Sequence, residues 1–260
     1  MGWCKMTRRN QWDAHLYDQH HSFVSEYGHD LVKLLNPTSG ERILDVGCGT
    51  GDLMNTLVDF GVDGLGVDQS ETMVVKAKEK YPELSFEVKD VLELDFQGEF
   101  DAVFSNATLH WVKEPKLALE KMYESLKVGG RFVAEFGGAG NVELILNEFR
   151  KQCQQEGYSV TNESLPWYFP TIGQYTSLME AVGFQVTCAV HFNRPTVLDG
   201  EDGLRNWLHM FMPNFLHSLP DDVEMRVLTN VENNLRQILY KDKQWEADYK
   251  RIRVMAIKHE

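Results

Sequence analysis

Three glycines at alternate positions, Gly47, Gly49 and Gly51, form the part of the sequence best suited to hold a ligand. Glycine lacks a Cβ atom, so the backbone here can adopt positive φ angles and come close to a bound molecule. Asp68 follows roughly 20 residues later, at the distance where a carboxylate can accept hydrogen bonds from both hydroxyls of a ribose. Asp90 is a further acid after the next predicted strand. These residue types indicate a nucleoside-binding site.

The spacing of the glycines differs from the dinucleotide fingerprint G-x-G-x-x-G/A. Gly47 and Gly49 match its first two glycines, but Asp52 stands at the third. A carboxylate at that position would repel a pyrophosphate, so the loop favours a nucleoside ligand without a phosphate. For the glycines taken alone, a plain strand-to-helix turn remains the alternative.

The flanking segments place the acids at the ends of strands. An apolar run over residues 43–46 leads into the glycine loop, and an amphipathic segment follows it, as in a buried strand, a tight loop and a helix. Asp45 lies within the first of these strand ends, and Asp68 and Asp90 follow the next two. Because ligands bind outside the carboxyl ends of the strands in a doubly wound sheet, the three acids are predicted to share one site.

Strand and helix patterns alternate up to about residue 136, which predicts a parallel sheet with helices on both faces. Beyond this point the strands and helices no longer alternate regularly. The sequence predicts a long helix over 140–156, an aromatic and proline-rich stretch over 165–170, a helix over 172–182, a strand over 184–192, a mostly helical region over 195–245 and an alternating strand near the end. Such alternation favours an edge position for the last strand.

Composition and charge exclude several classes of protein. The chain has 260 residues and a formal net charge of -13, which argues against nucleic acid as the main partner. Its four cysteines are scattered and show no metal-ligand spacing, so free thiols in a reducing cytoplasm are expected and no metal is predicted. No apolar run is long enough to span a bilayer, and the N-terminus lacks the apolar core of a signal peptide.

Residues 10–35 are predicted to be helical, either as a packing helix or as a lid over the ligand with Tyr17 and His21 pointing inwards. The chain is accordingly divided into four parts. They are an N-terminal helical lid (1–40), a ligand-binding core (41–194), a helical cap insertion (195–245) and a terminal strand that returns to the core sheet (246–260).

Taken together, the motifs resemble those of the class I S-adenosylmethionine-dependent methyltransferases. The stretches that carry the resemblance are 43–51, 66–68, 89–91, 100–106 and 126–130, and they occur in the order found in that family. The resemblance implies a Rossmann-like sheet of seven mostly parallel strands with the last strand antiparallel. It also implies S-adenosylmethionine as the cofactor.

The same resemblance assigns roles to residues. The glycine loop would face the methionine part of the cofactor, with Asn106 nearby; Asp68 would bind the ribose, Gln69 would flank the adenine, and Asp90 would accept from the adenine amino group beside the Val91 amide. The full set predicted to bind the cofactor is Tyr17, His21, Asp45, Gly47, Gly49, Gly51, Asp68, Gln69, Met73, Asp90, Val91, Asn106 and Trp111.

A finer resemblance lies in residues 105–112, in the N-terminal helix and in the C-terminal insertion, which are similar to the trans-aconitate methyltransferase subfamily. The methyltransferase that acts on carrier-bound malonate in the biotin pathway is its neighbour. The resemblance implies O-methylation of a small carboxylic acid. Methylation of a hydroxyl or amine acceptor, or of a carrier-bound malonyl group, stays open.

Each type of acceptor requires different side chains. A carboxylate needs a cation, and Arg194 and Arg205 are the candidates, with surface solvation as the alternative. A hydroxyl or amine needs a base, and His110 is the first candidate, unless it packs against the N-terminal helix. An apolar acceptor pocket or simple core packing would account for the remaining aromatic residues, which are Trp111, Trp167, Tyr168 and Trp207.

Two other classes of function remain as alternatives, an NAD-linked oxidoreductase and a non-catalytic cofactor-binding protein. Asp52 and the series of acids disfavour the first. The prediction is therefore an enzyme with a small-molecule acceptor, without nucleic-acid or membrane partners, as a monomer or a homodimer.

Overall fold

The structure, a computed structural model, describes residues 30–259. Residues 30–35 are helical and precede the first strand. The helices are α1 (Asp52–Val58), α2 (Glu71–Lys80), α3 (Pro115–Ser125), α4 (Glu143–Gln155), α5 (Ile172–Val182), α6 (Gly203–Phe211), α7 (Pro213–Leu216) and α8 (Asp221–Leu239). The strands are β1 (Arg42–Val46), β2 (Asp63–Asp68), β3 (Ser85–Val88), β4 (Phe100–Asn106), β5 (Leu126–Gly137), β6 (Phe184–Asn193), β7 (Thr196–Leu198), β8 (Tyr240–Lys241), β9 (Gln244–Ala247) and β10 (Lys250–Lys258).

Seven strands form the main sheet in the order β3-β2-β1-β4-β5-β10-β6. β1 pairs in parallel with β2 and β4, and β10 pairs antiparallel with both β5 and β6. The strand order reverses beside β1, so the glycine loop and the ends of β1 and β4 meet at the point where α/β sheets bind ligands. The predicted mostly parallel seven-stranded sheet with an antiparallel last strand is confirmed.

Helices cover both faces of this sheet, which is why its central strands are apolar on both sides. One face packs against α3 and α5, and the other packs against α1, α2 and the helical segment 30–35. In β1, Ile43 belongs to the second of these cores and Leu44 to the first, and both side chains are fully buried. The sheet is therefore doubly wound, as predicted.

The last strand, β10, is an interior strand, and its predicted edge position is wrong. Lys250 to Lys258 pair with β6 on one side, and Arg251 to Ile257 pair with β5 on the other. Its alternation arises because Ile252 and Val254 pack into the core while Arg253, on the opposite face, bonds to Glu135. The ion pair between Arg253 and Glu135 thus accounts for the alternation of apolar and charged residues, which in an edge strand would reflect exposure of one face to solvent.

The predicted cap, residues 195–245, contains α6, α7 and α8, but it also contains strands that the sequence did not reveal. β7, β9 and β8 form a separate antiparallel sheet in that order. Trp245 of β9 is almost fully buried, and its indole N–H donates to the carbonyl of Glu201 at 2.7 Å. These strands are too short for an alternating pattern to stand out from the helices beside them.

Helix α4 belongs to the same hydrophobic core as α6 and α8, although it lies far from them in sequence. Its Glu148 accepts a hydrogen bond from the side-chain amide of Asn234 on α8 at 2.7 Å. The division of the chain into lid, core and cap stays a prediction. Within residues 30–259 no helix is both long and apolar enough to cross a membrane.

Candidate functional site

A cavity of about 630 Å³ opens where the carboxyl ends of β1, β2 and β4 face the cap. On one side it is lined by the glycine loop and by the acids at the ends of β2 and β3. On the other side it is lined by the turn after β4, the residues just before α4, the segment after α4, helix α6 and the start of β10. The predicted site residues that line it are Gly47, Gly49, Asp68, Gln69, Met73, Asp90, Val91, Asn106, His110, Trp111, Trp167 and Trp207. Most of the predicted residues thus share one cavity.

The glycine loop fits closely against the turn after β4. Gly47 has φ 77°, and a Cβ atom there would lie only 2.0 Å from Oγ1 of Thr108, so no other residue fits without displacement. Gly49 has φ 55°, and a Cβ atom there would meet no atom of residues 30–259 within 4 Å. Because Gly49 also lines the cavity, the open space above it is available to a ligand. The loop therefore forms a backbone cradle.

Asp68 ends β2 and is held by the loop that it faces. Its Oδ2 accepts from the Gly49 N–H at 3.1 Å, and its Oδ1 accepts from the Ser70 N–H at 2.8 Å. Burial raises the pKa of Asp68, and these two backbone hydrogen bonds oppose the shift. A carboxylate oxygen can accept more than one hydrogen bond, so both oxygens retain acceptor capacity towards a diol.

Asp90 lies beyond β3 and begins the 3-10 turn Val91–Glu93, where its Oδ1 accepts from the Leu92 N–H at 3.0 Å. This turn holds Val91 against the cavity. Lys89 lines the same end, where its ammonium pairs with Asp95 and lies 4.4 Å from the centre of the Phe96 ring. The Asp68 and Asp90 carboxylates thus line the end of the cavity beside β2 and β3.

Two predicted residues lie behind the loop and do not line the cavity. Asp45 is buried, and its Oδ2 has no hydrogen-bond partner among residues 30–259. Burial, and secondarily the charge of Asp68, raises the pKa of Asp45 to about 8. A Cβ atom at Gly51 would lie 2.7 Å from the Phe86 ring, so this glycine serves packing.

The other end of the cavity is lined mostly by aromatic rings. Trp167 is stacked on Phe169 with ring centroids 5.6 Å apart, and it lies 5.5 Å from Trp111 and 5.9 Å from Trp207. Phe211 lies 5.0 Å from Trp207. The turn after β4 supplies Trp111, and the segment after α4 and helix α6 supply the other rings, so elements outside the sheet form this end.

His110 lies in the 3-10 turn after β4 and is buried. Its Nδ1 accepts a hydrogen bond from the Gly137 N–H at 3.3 Å. Burial, and secondarily the positive charge of Arg251, holds the pKa of His110 well below its usual range. A neutral imidazole that accepts at Nδ1 carries its proton on Nε2, so His110 is a hydrogen-bond donor.

Arg251, on β10, is one of the cavity residues that the sequence analysis missed. It is only 8 % exposed, and its guanidinium lies 4.7 Å from the centre of the Tyr249 ring. Asn141, which also lines the cavity, is held by the Lys250 N–H, which donates to its Oδ1 at 2.8 Å. The sequence did not indicate that Arg251 lines the cavity, because its strand was predicted to lie at the edge of the sheet, where a charged residue is expected to face solvent.

The predicted acceptor residues Arg194 and Arg205 do not line the cavity. Arg194 pairs with the buried Glu135 at 3.0 Å, and Arg205 pairs with Glu232 at 2.5 Å. Tyr168 also lies outside the lining and packs against the sheet core that faces α3 and α5.

Tyr17 and His21 lie outside the described residues. Within residues 30–259 no group of three or more His, Cys, Asp or Glu side chains is arranged to hold a metal ion.

The residues present fit a nucleoside that carries an amino acid. The open space above Gly49 gives room beside the backbone, and Asp68 and Asp90 supply acceptors for hydroxyl and amino groups.

A family model for a methyltransferase domain matches residues 44–134. An uncharacterised methyltransferase of Schizosaccharomyces pombe is 33% identical over 259 residues, which cover 95% of this chain and 98% of that protein. The trans-aconitate 2-methyltransferase of Deinococcus radiodurans is 29% identical, and the alignment covers 73% of this chain and 77% of that enzyme.

Solved structures share the fold. A Haemonchus contortus phosphoethanolamine N-methyltransferase 2, in complex with phosphomonomethylethanolamine and S-adenosylhomocysteine, matches with a TM-score of 0.59 and 19% identity. The match covers 95% of this chain and 57% of that one. At this level of identity the likeness shows the architecture of the chain.

Proposed function

Since this chain belongs to the class I S-adenosylmethionine-dependent methyltransferases, we propose that it methylates a carboxylate oxygen of a small acid and so forms a methyl ester. The observation that carries the proposal is that Arg251 and His110 line the same cavity as the residues predicted to bind the cofactor. The 29% identical trans-aconitate 2-methyltransferase supports the same class of acceptor.

The glycine loop and the acids would hold the cofactor. In this assignment Gly47 and Gly49 lie beside its methionine part, Asp68 accepts from the ribose hydroxyls, and Asp90 accepts from the adenine amino group. When bound, S-adenosylmethionine supplies a methyl group that its sulfonium has already activated. The chain therefore has to orient the acceptor and exclude water, and proximity alone can provide about 7–11 kcal/mol of the barrier reduction.

Arg251 and His110 would bind and orient the acceptor carboxylate. Arg251 offers a fixed positive charge, and the Nε2–H of His110 offers a neutral donor beside it. They would present the carboxylate oxygen to the methyl group, which the bound cofactor would supply with the carbon–sulfur electron pair left on sulfur. A carboxylate is ionised at neutral pH, so no proton has to be removed.

A hydroxyl or amine acceptor is the second candidate, and the site favours it less. Such an acceptor would need a base, and His110 is the candidate for that role in the cavity lining. Its Nδ1 already accepts from Gly137, and its Nε2 carries the proton, so it has no lone pair to offer. The neighbouring Arg251 charge would also repel an ammonium acceptor.

The test is a screen of small carboxylic acids, alcohols and amines with isotopically labelled S-adenosylmethionine and mass detection of the products. Carboxylic acids should become labelled esters that mild alkali cleaves. Label that resists alkali on a hydroxyl or amine product, with no ester formed, would refute the proposal.

Arg251→Ala should raise the acceptor KM by about 10- to 100-fold, the value of one charged hydrogen-bonding partner. The dissociation constant for S-adenosylmethionine should change by less than about threefold, since no cofactor group is assigned to Arg251. Arg205→Ala is the matched control because it removes an arginine that Glu232 holds outside the cavity. Equal effects of the two substitutions on the acceptor KM would contradict the assignment.

A further inference from the structure

We propose that Asn141 is an acceptor-binding residue, and that its side-chain NH2 group donates to the carboxylate of the acid that is methylated. The inference rests on the carboxylate function proposed above and adds a further donor to Arg251 and His110. It follows from the way in which the loop of residues 138–142 presents the Asn141 side chain to the cavity.

A backbone contact fixes the orientation of the Asn141 amide. The Lys250 N–H donates to Oδ1 of Asn141 at 2.8 Å, and only the oxygen of an amide can accept such a bond. Oδ1 is therefore turned towards β10, and Nδ2 occupies the other branch of the side chain. Asn141 is 3 % exposed and lines the cavity, and Nδ2 donates to no residue of 30–259 yet is not sealed from accessible space. The NH2 group is thus the part of the amide that faces the cavity.

This NH2 group lies at the aromatic end of the cavity. A Cβ atom on Gly137 would lie 3.0 Å from Nδ2 of Asn141 and 2.6 Å from the Phe169 ring. The Gly137 N–H donates to Nδ1 of His110, so the amide, the Phe169 ring and the imidazole all approach the same glycine. All three side chains line the cavity together with Arg251. Asn141 therefore lies among the residues already proposed to meet the acceptor.

The 138–142 loop is held in place by the elements around it. The Gly138 N–H donates to the carbonyl of Lys250 at 3.0 Å, which ties the loop to β10. The Ala139 N–H donates to the carbonyl of Pro170 at 2.8 Å, which ties the loop to the segment after α4. The amide that the loop carries is thus fixed before a ligand binds. A donor that is already ordered loses little entropy on binding, so its hydrogen bond contributes more to affinity.

The residue after Asn141 has a strained backbone. Val142 is fully buried, lines the cavity and has φ 50°, a left-handed conformation that is rare for a β-branched side chain. Its N–H donates to the carbonyl of Asp248 at 3.1 Å, and Oδ2 of Asp248 accepts from the Leu144 N–H at 2.9 Å, which holds the turn. Strain of this kind is concentrated at ligand-binding sites. Here it lies where the chain enters α4 and sets the direction of the Asn141 side chain.

An amide NH2 group suits a carboxylate because it only donates and carries no charge. A carboxylate can accept about four hydrogen bonds, so the charged Arg251 and the neutral donors of Asn141 and His110 can bind it together. The methionine carboxylate of the cofactor is the alternative partner for the same NH2 group. That part of the cofactor is assigned to the glycine loop, whereas Nδ2 lies beside Gly137, so the geometry favours the acceptor.

The experiment replaces Asn141 by Asp, which keeps an oxygen for the Lys250 N–H and exchanges the donor for a negative charge. The acceptor KM is measured for the acid that gives most ester in the screen above, with trans-aconitate as the first probe, at about pH 8.5 so that the introduced carboxyl is ionised. The KM should rise by about 10- to 100-fold, the value of a hydrogen bond to a charged group. The dissociation constant for S-adenosylmethionine should change by less than about threefold.

Asn147→Asp is the matched control, because it makes the same change of charge at an exposed position of α4. An acceptor KM for Asn141→Asp within about twofold of the control would overturn this inference, and ester formation by the unmodified enzyme would leave carboxylate methylation standing. An equal rise in the dissociation constant for S-adenosylmethionine would assign Asn141 to the cofactor and would also overturn it. Absence of ester from the unmodified enzyme would overturn both proposals.

Asn141→Ala removes the donor without adding a charge, and its acceptor KM should rise by about 3- to 10-fold. If neither variant folds, the unmodified enzyme labelled with nitrogen-15 asparagine decides the matter by nuclear magnetic resonance. Addition of the acid to the complex with S-adenosylhomocysteine should move the signal of one side-chain NH2 group downfield, because its protons then bond to a carboxylate. If no asparagine side-chain signal moved, the inference would be wrong.

Discussion

Replacing Asp68 by Asn is the sharpest test of the donor end of the cavity, because it changes charge and hydrogen bonding with almost no change in shape. Oδ1 of Asp68 accepts from Ser70, and an Asn oxygen can keep that bond. Oδ2 accepts from the Gly49 N–H at 3.1 Å, and an Asn amide would place a donor against this donor. The substitution therefore acts on the cradle and on the ligand together.

The expected size follows from the bonds that are lost. One charge-assisted hydrogen bond to a ribose hydroxyl would be removed, which corresponds to about 1.5–3 kcal/mol and therefore to a roughly 10- to 100-fold rise in the cofactor dissociation constant. Any loss of folding stability should come from the contact with Gly49. Burial, and secondarily the Asp68 charge, raises the pKa of Asp45 to about 8, so Asp45 is mostly protonated near neutral pH and removal of the Asp68 charge relieves little repulsion there.

The assay is calorimetric titration with S-adenosylmethionine and with S-adenosylhomocysteine, alongside urea denaturation of the same preparations. Both ligands should weaken equally, since both carry the ribose. Asp63→Asn is the matched control, because Asp63 lies at the opposite end of the same strand and is largely exposed. A dissociation constant for Asp68→Asn within about twofold of the unmodified value would refute the ribose assignment.

Gly47→Ala should lower the free energy of unfolding by about 1–3 kcal/mol more than Gly129→Ala, measured by urea denaturation. Both positions have similar positive φ, but only at Gly47 would the new Cβ clash with Thr108, so equal losses would contradict the packing argument. The unmodified protein should lose stability as the pH rises, and Asp45→Asn should abolish that loss. The pKa of Asp45 is raised from 3.8 to about 8 on folding, so the folded chain binds a proton that the unfolded chain has released between these values. Stability should therefore fall between about pH 4 and pH 8, by up to roughly 1.4 kcal/mol per pH unit, and level off above. Parallel stability profiles for the two proteins over this range would contradict that account.

The sheet and the donor end of the cavity were predictable because their signals are local. Apolar runs that end on glycines or acids reveal buried parallel strands, and their alternation with helices predicts helices on both faces of the sheet. The number of strands and the antiparallel last strand were implied by the family resemblance. The same local features predicted one site for Gly49, Asp68 and Asp90, and all three residues line the cavity.

The aromatic end was less predictable because its geometry depends on contacts between distant segments. Arg194 and Arg205 lie beside and within the insertion in sequence, but ion pairs with Glu135 and Glu232 hold their guanidinium groups outside the cavity. Arg251 was overlooked because an alternating strand near the end of a chain resembles an edge strand. Only the pairing of β10 with both β5 and β6 shows that this strand lies within the sheet.

The insertion between β6 and β10 closes on itself at its base. The Arg194 N–H donates to the carbonyl of Tyr249 at 2.7 Å, and Thr196 pairs directly with Ala247. Because the two ends of the insertion leave and rejoin neighbouring strands, its length and sequence can change without moving either strand, and a longer closed segment costs little additional entropy. A replacement would still have to match the buried face of α4. The insertion could thus be exchanged for another by grafting, while the sheet and the glycine loop stay unchanged.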